Sequence, residues 1–204
     1  MGRVSDAREK LVSAVWELMW TGSYGQTTID QICDKAGVKK GSFYHFFDDK
    51  ADLASVALDE CWEKYRSSLD AVFSPTVPPL ERLQQFFQIG YEKQLEMKKQ
   101  YGSVQGCPLF ALGAEICNSE AKLRTKIQKV FQHHHQYFES AIRDAHAIGL
   151  IYVENPAVTA RILFAYSEGL LTQARILNDT DVLKEMWNGA LAILGVSSRQ
   201  PVSV

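Results

Sequence analysis

Apolar residues recur at intervals of three and four through most of the chain, which is the spacing of helices with one buried face. Leu11, Val15, Leu18 and Met19 predict a first helix from Asp6 to Thr21, opened by a capping-box-like Asp6/Glu9 pair and closed by Gly22 and Gly25. Thr28 followed by Gln31 is a capping box, so a short helix starts there, with Ile29 and Ile32 on its apolar side and Gly37 just past its end. Val38 is a lone apolar plug, and a second short helix is expected from Lys39 to Phe46, with Phe43 and Phe47 on one side. A long row of Leu53, Ala57, Cys61, Tyr65, Leu69 and Phe73 predicts a helix over about 49–73, ended by Pro75, Pro78 and Pro79.

Five more helices are expected beyond those prolines. The first runs from Pro79 to about Lys98 with Leu83, Phe87, Tyr91 and Leu95 in one row and Phe86 and Ile89 beside it. Pro108 suits the first position of a short helix to Ile116. Ser119 is expected to cap a long helix to about Ile148, with Leu123, Ile127, Val130, His134, Phe138, Ala141 and Ala145 in its stripe. The last two, about Pro156–Leu177 and Thr180–Leu194, are apolar on most sides. The fold class is therefore all-α.

The stretch Thr27 to Phe47 changes what this pattern means. Two short helices around an Ala-Gly-Val turn have the form of a helix-turn-helix, and Lys39 and Lys40 sit at the positive end of the second one. The helix dipole disfavours cations there, whereas a phosphate docked at that helix start would reverse the sign. The succession of Thr-Thr, then Ala-Gly-Val, then Gly-Ser-Phe-Tyr-His-Phe-Phe, then Lys50 and Leu53 resembles the N-terminal DNA-binding domain of the TetR family of bacterial transcriptional regulators. The resemblance covers about the first quarter of the chain; one departure is Lys39, where many members carry Ser or Thr. It implies residues 1–50 as a helix-turn-helix DNA-binding domain, the long helix as connector, and 51–195 as a helical ligand-binding and dimerisation domain. Residues 196–204 are expected to be a disordered tail.

The expected DNA-facing set is Thr27, Thr28, Lys39, Lys40, Gly41, Ser42, Tyr44, His45 and Lys50. The lysines and threonine hydroxyls would position phosphates; Tyr44 and His45 match family positions that face the backbone; Ser42 and Lys40 are candidates for base edges. The competing reading of each is a solvated surface residue.

Composition narrows the rest. The 204 residues suit one or two compact units, and 46% apolar residues are ample for a core. A formal net charge of −2 excludes a generally polybasic protein. Even residues 1–50 balance seven Lys/Arg against seven Asp/Glu, so DNA binding has to rest on local placement. The polar N-terminus gives no signal peptide, no apolar run approaches the ~20 residues of a membrane span, and four cysteines without a CxxC pair fit a reducing cytoplasm.

For the body, a near-continuously apolar helix needs cover on all sides, so the last two helices are expected to pair with the same two of a second copy, forming a homodimer. The expected partners are a near-palindromic double-stranded DNA operator and a small-molecule effector, with no cofactor and no metal. Effector candidates are Phe86, Phe87, Tyr91, Cys107, Phe110, His134, Tyr137, Phe164 and Glu168; aromatics at helical spacing are as readily plain core, and His134 and Glu168 as readily satisfied buried groups. Cys107, just before Pro108, is a candidate sensor of electrophiles or oxidants, or a small packing residue. His133, His134 and His135 point about 100° apart on a helix and do not close on one ion. With no HExxH, P-loop, GxGxxG or Glu-x-x-His pair, an enzyme is not expected. The function expected is a ligand-released repressor; an activator, or a regulator needing a corepressor, shares the same sequence features.

Overall fold

The computed structural model describes residues 2–116 and 118–196, with side chains from Asp6 onward. The expected disordered tail beyond Val196, and Cys117, lie outside the described residues. Helices and turns account for what is described: α1 (Gly2–Thr21), α2 (Ile29–Ala36), α3 (Lys40–Phe46), α4 (Lys50–Val72), α5 (Pro79–Tyr101), α6 (Pro108–Ile116), α7 (Ala121–Ala147), α8 (Pro156–Leu177), a 3-10 turn (Asp181–Leu183) and α9 (Met186–Ile193). They fall into two compact units, Met1–Tyr65 with Cys107–Val130, and Arg66–Gly106 with Phe131–Val204. The first unit takes in α6 and the opening of α7, a grouping that a boundary drawn along the chain at residue 50 does not anticipate.

In the first unit, the local signals act as the sequence suggests. Thr28 Oγ1 accepts from the Gln31 amide at 3.2 Å, and Gln31 Oε1 accepts from the Thr28 amide at 2.8 Å, so the capping box is closed. Gly37 ends α2 at φ +65°, where a side chain would be strained. α3 begins one residue later than expected, with Lys39 as a cap that makes no side-chain hydrogen bond. Seven residues are too few to be helical alone. What keeps α3 in place is Phe43, with 0% of its surface exposed, packed 6.0 Å from the Phe47 ring, in a core with Leu11, Val15, Ile32 and Leu53. The α6–α7 part closes around Leu112, Ile116, Leu123 and Ile127. Ser119 is not the cap of α7: its hydroxyl turns back to the Ile116 carbonyl, and Glu120 supplies the first acceptor, to Arg124 N at 2.9 Å.

In the second unit, Arg82 is buried and closes the proline turn, donating to the Val77 and Pro75 carbonyls at 2.7 and 3.1 Å and to Asp144 at 2.6 Å. The expected α5 row fails at its end. Leu95 and Ile89 are exposed, and Gln94 is buried instead. Its Oε1 accepts from the Gly106 and Gln105 amides at 2.8 and 3.2 Å, and its Nε2 donates to the Gly106 carbonyl, so the face turns toward a loop that needs a polar partner. By contrast, the seven expected stripe positions of α7 are all buried. α8 matches its expected span, capped by Asn155 and ended by Asn178 at φ +50°. The expected Thr180–Leu194 helix is broken. Asp179 Oδ1 accepts from the Asp181 amide at 2.9 Å and sets a 3-10 turn, and Glu185, at φ −92° and ψ 9°, precedes the short α9. At Gly189, a Cβ would lie 1.9 Å from the Tyr166 hydroxyl oxygen, so α9 presses on α8 without room for a side chain.

Candidate nucleic-acid interface

The expected DNA-facing residues divide into two groups. Lys39, Lys40, Gly41, Tyr44 and His45 are exposed along α3 and its cap, and Thr28 is exposed at the start of α2; Ser42 is half-buried. Tyr44, 55% exposed, leans its ring 5.2 Å from Phe43, which orients an otherwise outward side chain. A Cβ on Gly41 would meet nothing, so this side of α3 is open to a large neighbour. The Lys40 ammonium donates to Asp30 at 2.8 Å, and this hydrogen bond raises its pKa, keeping it charged. An exposed pair of this kind is easily exchanged for a phosphate.

Thr27 and Lys50, also in the expected set, are placed differently, with partners inside the chain. Thr27 is buried, and its hydroxyl donates to the Ser23 carbonyl at 2.7 Å. The Lys50 ammonium donates to the Tyr24 and Thr27 carbonyls at 2.7 and 2.9 Å and stands 4.2 Å over the Tyr24 ring; burial lowers its pKa. Both residues fix the turn between α1 and α2. The same turn has a partner that sequence reasoning misses, Glu115 of α6, which accepts from Ser23 Oγ and Gly25 N at 2.6 Å and from Tyr24 N at 3.0 Å. No spacing rule links residues 90 apart, so only the fold reveals it.

The effector candidates also separate. In the second unit Phe86, Phe87, His134 and Phe164 gather around Phe138. Phe86 lies 4.9 Å from Phe138, and His134 stacks on Phe164 at 5.1 Å. Phe87 also tilts toward Trp187 at 6.1 Å. Glu168 and His134 are buried, and Tyr91 is half-buried. Tyr137 meets this packing through Phe73, whose ring lies 5.3 Å from it and 5.8 Å from Phe138. With Arg66, Asp70, Phe73 and His133 it lines an open groove of about 390 Å³, and its hydroxyl donates to Asp70. Burial and the Asp70 carboxylate push the Tyr137 phenol up to about 12.

Cys107 and Phe110 lie in the first unit, at the start of α6. The Cys107 carbonyl accepts from the Ala111 amide at 3.1 Å, and the residue is half-buried. Burial pushes the Cys61 thiol up to about 11 and raises that of Cys33, so neither is an activated thiol. Among the described residues no group of three His, Cys, Asp or Glu side chains is placed to hold a metal ion, and no helix is long and apolar enough to cross a membrane.

Residues 11–57 match the family model described as "Bacterial regulatory proteins, tetR family", and residues 79–190 match "Tetracyclin repressor-like, C-terminal domain". The HTH-type transcriptional repressor NemR of Escherichia coli is 26% identical over 184 residues, covering 88% of this chain and 89% of its own. The transcriptional regulator AcuR of Cereibacter sphaeroides is 28% identical over 173 residues, covering 83% and 77%. Among solved structures, a regulatory protein TetR from Rhodobacter sphaeroides superposes with a TM-score of 0.81 at 25% identity, covering 90% of this chain and 96% of that one.

Proposed function

The chain belongs to the TetR family of bacterial transcriptional regulators, and from that premise we propose that it represses transcription by binding a near-palindromic operator as a homodimer and is released by a small-molecule effector. The observation that carries this is the outward set on a well-anchored α3: Lys39, Lys40, Tyr44 and His45 exposed while Phe43 and Phe47 are buried beneath them. A two-fold pair of such helices reads half-sites about one helical turn apart. The experiment is selection of duplexes from a random library followed by anisotropy titration over a range of salt. Enrichment of an inverted repeat bound with a steep salt slope is expected; no enriched duplex refutes the reading. Release by a hundredfold requires an effector that prefers the non-binding form by about 2.7 kcal/mol. Regulators similar to this one are named as repressors, which supports repression over activation.

The α8 surface supports a second copy as partner. Val158, Ile162 and Ile176 are 38%, 51% and 76% exposed, and with Ala165 and Gly169 they form a stripe of apolar and small residues along one side of the helix. Small residues on such a stripe let a second helix approach closely, and covering it removes apolar surface from water. Ile162→Arg is expected to give a monomer in size-exclusion with light scattering and to weaken operator binding by about a hundredfold, since each half-site alone contributes too little. A dimer in that variant removes the stripe from the interface.

A second reading concerns Cys107, half-buried at the first turn of α6, the helix whose last turn carries Glu115. It is that this thiol, once deprotonated, attacks an electrophile such as the alkene of a maleimide, and that the resulting thioether adduct displaces α6 and so releases DNA. Cys107→Ser is then expected to hold its operator in the presence of N-ethylmaleimide while the parent protein lets go. Equal release from both ends the thiol reading and leaves the effector reading untouched.

A further inference from the structure

Residues 23–25 connect α1 to the capped start of α2, and a single carboxylate grips all three. Glu115 Oε1 takes the Ser23 hydroxyl and the Gly25 amide, and Oε2 takes the Tyr24 amide. On the other side, Lys50 holds the Tyr24 and Thr27 carbonyls, and Tyr24 Oη donates to Glu120 at 3.4 Å. The turn is thereby fixed from both sides, and Thr28, the cap of α2, follows it directly.

Nothing in α6 itself asks for Glu115. It lies in the last turn, where the helix dipole disfavours a carboxylate. Burial also works against its charged form, yet the Ser23, Gly25 and Tyr24 donors and nearby Lys50 prevail and hold its pKa below the ordinary value. The approach depends on Gly25 as well. A Cβ there would lie 2.8 Å from Glu115 Oε1, although the Gly25 backbone is not in the left-handed region.

We propose that Glu115 is a positioning residue for DNA recognition: by gripping residues 23–25 it sets where α2 begins, and so the geometry with which a dimer presents its two recognition helices to successive half-sites. This rests on the DNA-binding reading above. Glu115 touches no nucleic acid in this scheme and acts only through the turn.

Two variants attack the grip from opposite sides. Glu115→Gln keeps the shape but turns one acceptor into a donor facing donors. Gly25→Ala leaves Glu115 in the chain and displaces its carboxylate with a methyl group. The probes are a duplex enriched by the parent protein from a random library, and the same duplex with one base pair inserted between its half-sites. In the free proteins, amide exchange at Tyr24 and Gly25 is expected to rise by about tenfold or more in both variants, since a charge-assisted hydrogen bond is lost at each. Binding to the enriched duplex is expected to weaken by about tenfold with an unchanged salt slope, because every phosphate keeps its cation. The parent's penalty for the inserted base pair should shrink in both variants, which a merely stabilising residue would not cause.

An undiminished spacing penalty in two variants that melt normally overturns the positioning role, even where affinity falls. Unchanged exchange at Tyr24 and Gly25 overturns the grip itself. If the parent protein enriches no duplex, the DNA-binding reading fails and takes this role with it. If the parent enriches one and the variants match its spacing penalty, only the role of Glu115 is lost.

Discussion

Phe43→Ala is expected to destabilise the first unit by about 3–5 kcal/mol, the usual cost of removing a fully enclosed phenyl ring. Denaturant titration followed by tryptophan fluorescence measures it, since Trp16 and Trp20 belong to that unit. The effect is large for a reason specific to α3. A seven-residue helix has almost no stability of its own, so its position depends on Phe43 and Phe47 beneath it. Loss of the ring therefore removes the platform as well as the packing, and operator binding should vanish at temperatures where the second unit is still folded. A midpoint shift worth less than about 1 kcal/mol would mean that α3 is held by something other than this ring.

The second large effect is electrostatic. Lys39→Ala with Lys40→Ala is expected to weaken operator binding by about a hundredfold near physiological salt, and to reduce the slope of log K against log salt by about 0.9 for each phosphate left without its ammonium partner. A dimer carries the lysine pair twice, so the change in slope is doubled. Lys50→Met is the informative control. Its ammonium is spent on two backbone carbonyls, so it should weaken binding through the turn and leave the slope as it was. A double variant with the parent's slope would show that α3 does not meet the phosphates through these lysines. A lowered slope in Lys50→Met would return that residue to the phosphate-facing set.

The contrast between those lysines also shows where sequence reasoning stops. Lys39, Lys40 and Lys50 are the same side chain within twelve positions, and the sequence points all three at the DNA. What separates Lys50 from the others is the turn of residues 23–27, whose Tyr24 and Thr27 carbonyls take up its ammonium. The pattern along α5 teaches the same lesson. Leu95 continues a perfect apolar row, yet Gln94 is the residue buried, because a loop eleven and twelve residues ahead presents backbone groups that need a partner. The effector candidates mix both outcomes. Phe86, Phe87, His134 and Phe164 do gather, but largely against one another and Phe138, whereas Tyr137 alone of the set lines the open groove.

What the amino-acid order determined by itself is the part of the protein governed by neighbours within about four residues. The Thr28–Gln31 capping box, the left-handed Gly37, Pro108 at the head of α6, the full span of α8 and the buried stripe of α7 are all of this kind. Hydrogen bonding and side-chain spacing within one or two turns leave each of them little choice. The family follows from the same local signals, since a helix-turn-helix is itself a local motif. Tertiary structure alone decided which polar groups are used inside: Glu115 on the α1–α2 turn, Lys50 beside it and Gln94 under its loop. Those choices depend on donors and acceptors that come together only when distant segments pack, and a buried backbone group must then take whichever partner the fold has brought within reach.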